Sequence, residues 1–269
     1  MCVIAYKPEG VAFPSEEILG NCWDSNRDGA GYMYAYRGKV QIRKGFMDYG
    51  ALMDSLDSDR ARTGDSVPYV IHFRIQTQGG VRKDCCHPFP ISRSMDRLRE
   101  LRCETELGVA HNGIIELTSY AHGSKVDYSD TMEFITEYLS LIAKEKDWHK
   151  DRDKVELADR LCGGGRLAIL GGDGHCELTG SWIEDGGVYY SNASYMGFGR
   201  LWKQTKDTGE EWENYRTPRG YDFFDDYCPL SVDGDYRYCE KCLSYPSCMN
   251  LEYSFEDEWL DKEDDERCI

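Results

Sequence analysis

The chain has 269 residues, 49 acidic and 32 basic side chains for a formal net charge of −17, and 41% hydrophobic residues. That length and apolar content suffice for one large domain with a buried core plus an appendage, and the charge argues against a protein that grips nucleic-acid phosphates through clustered Lys and Arg. With no apolar run near the ~20 residues that cross a bilayer and no export signal at the start, a soluble cytoplasmic protein with no membrane partner is expected.

In chain order, Cys2 to Tyr6 reads as a first strand, in which Cys2 by position alone is a small buried hydrophobe. Asp24 to Gly31 is dense in turn formers and reads as a loop. Tyr32 to Tyr36 alternates large aromatics with smaller apolar groups, the period of a strand. Arg37-Gly38 makes the turn and Lys39 to Arg43 the return arm, with the tyrosines packing on one face. Gly50 to Arg60 carries Leu52, Met53 and Leu56 at helical spacing. Pro68 to Thr77 reads as a strand buried on both faces, where Arg74 needs a partner or a wet pocket. Residues 92–106 read as a surface loop or short helix, and Leu107 to Ala110 as a strand. Asn112-Gly113 is a strong hairpin signal.

Ser129 to Glu133 opens a helix, capped by Asp130 or Ser129, with Glu133 as capping-box partner of Asp130. Phe134, Ile135, Tyr138, Leu139 and Ile142 form its apolar stripe. A second helix, Asp151 to Leu161, stops at Gly163 to Gly165. No Gly-Lys-Ser or Gly-Lys-Thr follows, so these glycines do not form a phosphate loop. Arg166 to Thr179 reads as a hairpin, and Ser181 to Tyr190 as another around an Asp-Gly-Gly turn. Near residue 200 the composition shifts to Asp, Glu, Tyr and Trp. The expected organisation is a domain over 1–200 and an acidic extension over 201–269.

The 12 Cys of a chain without an export signal are expected to be free, metal-bound or catalytic rather than paired. Cys22, Cys85, Cys86, Cys103, Cys162 and Cys176 read as scattered thiols. Cys239-x-x-Cys242, with Cys228 and Cys248, offers four thiolates for a structural Zn²⁺. The spacing is irregular, and free thiols in an acidic tail are the alternative.

Several segments together carry a resemblance. They are Cys2 behind the initiator Met, His72-x-Arg74-x-x-Thr77-x-Gly79, His87-Pro88, His111-Asn112-Gly113-Ile114-Ile115-Glu116 and Asp130-Thr131-x-Glu133. In this order they resemble the glutaminase domain of class II glutamine amidotransferases, a family that includes glucosamine-6-phosphate synthase. Asp28-Gly29-x-Gly31 and Ser191 to Tyr195 are similar to further segments of that family. Cys85 is a departure, standing where the family often has Asn before His-Pro, and His87 is read as structural or as supporting the residues that contact substrate. The resemblance implies an α+β fold, the four-layer αββα sandwich of N-terminal-nucleophile hydrolases. It also implies an enzyme that hydrolyses the side-chain amide of glutamine.

The resemblance assigns catalysis to Cys2, Asn112 and Gly113, and substrate binding to Arg74, Ile75, Thr77 and Asp130. The chemistry suits those residue types. Removal of Met1, expected because Cys is small, frees an α-amine with a pKa of about 7.7–8.0 on the residue that carries the thiol. Asn112 and the Gly113 N–H can stabilise an oxyanion. Arg74 can fork onto a carboxylate, and Asp130 can pair with an ammonium. No cofactor is needed. The chain is too short to add a synthase domain, so the ammonia is expected to pass to a separate synthetase protein. The alternatives are hydrolysis of another γ-glutamyl-type amide, or a catalytically silent binding or regulatory protein of the same fold.

Overall fold

The computed structural model describes residues 2–75, 81–117, 127–145 and 147–197. Thr77 and Gly79 lie outside the described residues, as do residues 201–269 with Cys228, Cys239, Cys242 and Cys248.

Two antiparallel sheets form the frame of an α+β fold. The first runs Ile183–Asp185 (β10), Val188–Tyr190 (β11), Val3–Lys7 (β1), Tyr69–Phe73 (β4), Ala30–Tyr36 (β2), Lys39–Phe46 (β3) and Arg102–Thr105 (β6). The second runs Phe89–Pro90 (β5), Leu107–Asn112 (β7), Arg166–Gly171 (β8) and Cys176–Leu178 (β9). The helices are α1 (Glu16–Ser25), α2 (Tyr49–Thr63), α3 (Met95–Arg99), α4 (Asp130–Phe134), α5 (Ser140–Ile142) and α6 (Arg152–Cys162). A π-helical turn, Ile135–Leu139, joins α4 to α5.

Strand alternation sorts the apolar side chains into three clusters. Tyr32, Tyr34, Tyr69, Ile71 and Phe73 on one face of the seven-stranded sheet pack with Leu19 and Cys22 of α1 and Leu52 and Leu56 of α2. Ile4, Met33, Val40, Ile42 and Val70, on the opposite face, pack with Ala110, Ala168 and Leu170 of the second sheet. Val109, Leu167 and Ile169 pack with Phe134, Ile135, Leu139, Ala158 and Cys162. Each fully buried aliphatic or Phe side chain of this kind contributes about 1.5–3 kcal/mol. The tyrosines keep their polar ends satisfied: Tyr32 Oη donates to Asp59 Oδ2 at 2.8 Å, and Tyr69 Oη meets Thr63 Oγ1 at 2.8 Å.

Helix ends follow the chemistry of their caps. Ser15 Oγ accepts from Ile18 N, Asp48 from Ala51 N and Asp151 from Asp153 N and Lys154 N. Gly163 closes α6 at φ 79°, where a side chain would be strained. Arg37 and Gly38, at φ 53° and 77°, make the tight turn that strand twist favours between β2 and β3.

Four expectations need correction. The stretch read as a loop from Asp24 is still helical through Ser25, because α1, absent from the sequence reading, is started by Ser15 and the acidic Glu16 and Glu17 of its first turn. Residues 92–106 hold not only a short helix but an edge strand, β6, which pairs with β3 through Ile42↔Cys103. Asn112-Gly113 turns no hairpin: β7 pairs with β5 and β8, neither of which follows it directly. The capping box of Asp130 with Glu133 does not form: of the two caps expected for α4, Ser129 is the one used, its Oγ accepting from Met132 N at 3.2 Å. That places Asp130 inside the first turn and leaves Glu133 out of the capping-box position.

Candidate active site

β1 lies between β11 and β4, with Val3 opposite Phe73 and Ile4 opposite His72. The same register carried one residue on sets Cys2 against Arg74 where the ladder ends. The backbone of Arg74 is fixed on its other side, its N donating to Gly29 O at 2.8 Å and its O accepting from Asp28 N at 2.9 Å. Arg74 is buried at 3% exposure, and Ile75 supplies the carbonyl that accepts from Cys2 Sγ at 3.4 Å.

Burial pushes the Cys2 thiol above its ordinary value; the Ile75 hydrogen bond and the Arg74 guanidinium pull it down, and the Asp130 carboxylate pushes it up. The thiol is thus held as a protonated donor, and a base must remove the proton before it can attack.

Asn112 is the last residue of β7 and is 1% exposed. Its side-chain nitrogen lies 3.0 Å from Ser191 Oγ. That same oxygen accepts from Ile4 N at 2.8 Å. Asn112 Oδ1 is buried without a hydrogen-bond partner among the described residues. Gly113 follows at φ 156°; a Cβ there would come within 2.9 Å of both Gly165 Cα and His111 Nε2. Only glycine permits this close approach to Gly165, the residue before β8.

Asp130 is buried at 6% exposure. One carboxylate oxygen accepts from Ile115 N at 3.0 Å and the other from Thr131 N at 2.7 Å. It therefore pins the segment after Gly113 to the start of α4. Thr131 Oγ1 also donates to it at 3.3 Å; a carboxylate has about four acceptor positions, so these three bonds leave one for a substrate ammonium.

Ser191 and Asn192 entered the sequence reading without a role. Asn192 Nδ2 donates to Cys2 O at 2.7 Å and its Oδ1 accepts from Ser194 N at 3.0 Å. The one local signal was a Ser-Asn pair directly behind an apolar strand. Its contacts lie 79 and 190 residues away, beyond the reach of periodicity.

Three buried histidines brace the site. The His72 and His87 rings lie 4.3 Å apart, centroid to centroid, and His87 stands edge-on to Phe89 at 4.7 Å, which agrees with a structural role. The His87-Pro88 peptide is cis. His72 Nε2 meets His111 O at 3.1 Å, and His111 Nδ1 meets Thr131 Oγ1 at 3.1 Å. Burial lowers all three; for His72, to about 3 from an ordinary 6.5, with Arg74 adding to the effect.

This has a sign for stability. Below pH 6.5 the unfolded chain binds protons at these residues and the folded chain does not, so the stabilisation is full above 6.5 and is lost as pH falls toward 3. His72 alone contributes a slope of about 1.4 kcal/mol per pH unit in that window, and His87 and His111 act in the same direction. The melting temperature is expected to fall steeply between pH 6.5 and 5. A flat profile there would show that these rings are protonated without penalty.

Away from these residues, a groove of about 680 Å³ is lined by Arg43, Phe46, Asp54, Asp59, Arg62 and Arg102. Asp59 is paired with both Arg43 and Arg62. Among the described residues no group of three or more His, Cys, Asp or Glu is arranged to hold a metal, and no helix is long and apolar enough to cross a membrane. Among the described residues no disulfide joins Cys2, Cys22, Cys85, Cys86, Cys103, Cys162 or Cys176.

No family model matches the chain. No curated protein matches it. Among solved structures, glutamine phosphoribosylpyrophosphate amidotransferase from B. subtilis, complexed with ADP and GMP, is similar at 16% identity and a TM-score of 0.43. The match covers 73% of this chain and 43% of that one, so the chain spans less than half of that enzyme's length.

Proposed function

We propose that residues 1–200 form a glutaminase domain of the class II amidotransferase type. With Met1 removed, the α-amine of Cys2 takes the thiol proton and the thiolate attacks the side-chain carbonyl carbon of glutamine. The carbonyl π electrons move onto oxygen, and Asn112 with the Gly113 N–H stabilises that charge. Proton transfer from the α-ammonium to the amide nitrogen lets ammonia leave, giving a thioester. Water then attacks the thioester, returns a proton to sulfur and releases glutamate. Arg74 binds the α-carboxylate and Asp130 the α-ammonium, with Ile75 and Thr77 as further substrate-binding residues by the resemblance; the ammonia passes to a separate synthetase protein. The layering fits the four-layer αββα arrangement: one apolar cluster lies between side chains of both sheets, and each outer face is covered by helices.

The observation that supports this reading best is convergence. Cys2, Arg74, Asn112 and Asp130 come from four distant parts of the chain. The Cys2 thiol feels the charges of Arg74 and Asp130, and Ser191 links Asn112 to the strand that carries Cys2. Intact mass and ammonia release measured on one preparation test it, with glutamine compared against γ-glutamyl amides. Met-processed protein that hydrolyses γ-glutamyl amides but not glutamine would shift the substrate; no turnover of any amide would leave a silent member of the fold.

For residues 201–269 we propose one structural Zn²⁺ held by Cys228, Cys239, Cys242 and Cys248. Metal analysis of freshly purified, reduced protein is expected to find about one zinc per chain, released by chelator with modest loss of stability. No stoichiometric zinc would dispose of the site.

A further inference from the structure

We infer that Ser191 is a positioning residue whose hydroxyl orients the Asn112 side-chain amide toward the developing oxyanion, while Asn192 beside it holds the nucleophile residue by its carbonyl. The inference rests on the glutaminase reading above.

It follows from counting protons. A serine hydroxyl has one proton to give and two lone pairs to receive. If the Asn112 nitrogen faces Ser191, the hydroxyl oxygen accepts twice, from Ile4 N at 2.8 Å and from Asn112 at 3.0 Å. Its own proton then has no acceptor among the described residues, and Asn112 Oδ1 stays buried without a donor. Turning the amide by half a rotation exchanges oxygen and nitrogen, an assignment that rests on the hydrogen-bond network. Ile4 N–H then donates to Ser191, and Ser191 O–H donates to Asn112 Oδ1.

That arrangement leaves one unmatched group, the Asn112 NH₂, now in the buried position that has no partner among the described residues. An NH₂ without an acceptor, at the end of β7 and next to Gly113, is what a tetrahedral oxyanion would satisfy. Asn192 has no such ambiguity. Its oxygen is fixed by Ser194 N and its nitrogen therefore by Cys2 O. Two adjacent residues thus set the two partners of the reaction: Ser191 the oxyanion donor, Asn192 the nucleophile.

Steady-state hydrolysis of glutamine by Ser191→Ala tests this. The expected result is a 10- to 100-fold fall in kcat, with KM within threefold of the unmodified protein and iodoacetamide labelling of Cys2 within twofold. Because Ser191 acts through Asn112, the double variant Ser191→Ala/Asn112→Ala should be no slower than Asn112→Ala alone. A folded Ser191→Ala with kcat within twofold of the unmodified protein overturns the inference, as do effects that multiply in the double variant. Should the alanine variant fail to fold, Ser191→Thr, which keeps the hydroxyl, carries the test. It should retain kcat within threefold, and a folded threonine variant slowed more than tenfold overturns the inference. Absence of ammonia release by the unmodified protein overturns the glutaminase reading, and this inference falls with it.

Discussion

Replacing Cys2 with alanine is expected to abolish release of ammonia from glutamine, a loss of at least about 10³-fold, with the fold retained. Its backbone carbonyl is held by Asn192, independently of the side chain. Among the described residues the thiol makes one weak bond, to Ile75 O, so an alanine methyl occupies its place at little cost. Cys2→Ser should also lose most activity, since a hydroxyl is the poorer nucleophile near neutral pH. Burial raises the thiol, so the rate should climb with pH as the α-amine loses its proton and becomes a base. A Cys2→Ala variant with unchanged turnover sinks the mechanism.

The second large effect is expected at Arg74 and Asp130, and it tests whether the substrate is a free amino acid. Such a substrate presents a carboxylate and an ammonium on one carbon, so its pocket needs one charge of each sign. Removing either protein charge leaves a substrate charge unpaired in a partly dry site, at about 2–5 kcal/mol, or roughly 30- to several-thousand-fold in kcat/KM. For Asp130 the informative change is Asp130→Asn. It keeps a side-chain oxygen for the Ile115 N–H while deleting the charge, which separates recognition from the local clamp. Ser129 still caps α4, but the amide NH₂ now faces Thr131 N–H, so this variant should fold and melt lower, by about 1–3 kcal/mol. Glutaramate, which lacks the α-amine, should be a poor substrate of the unmodified protein and lose nothing further in Asp130→Asn. Arg74→Ala should fall as far with glutamine, and lysine should restore only part, since an ammonium cannot fork onto a carboxylate. If both variants turn over glutamine normally, the pocket assignment is wrong.

Local chemistry was legible in the chain; long-range pairing was not. Tyr32 to Tyr36 announced its strand through period-two alternation, and α6 its ends through Asp151 and Gly163, because those signals lie within a few residues of what they control. Asn112-Gly113 misled as a hairpin because the same dipeptide serves a strand end when its neighbours in the sheet are distant in sequence. α1 was hidden by weak periodicity: its fully buried residues are only Leu19 and Cys22, too few to outweigh the turn formers after Asp24. In the site, Cys2, Arg74, Asn112, Gly113 and Asp130 were named through resemblance. Their mutual arrangement, and the part of Ser191 and Asn192 in it, required register between β1, β4 and β11, which no local pattern encodes.

The position of β1 in its sheet also bears on how the protein is made. β1 is made well before its two neighbours, β4 and β11, which begin at Tyr69 and Val188. At translation speeds of about 5–20 residues per second, the far side of β1 stays unpaired for roughly 10–40 s, until β11 has been synthesised. Throughout that interval a short apolar strand, Val3 to Tyr6, carries an open edge, the kind of surface that pairs with other chains. The strand that bears the thiol is thus completed late in biosynthesis, and slow or truncated synthesis exposes it to aggregation.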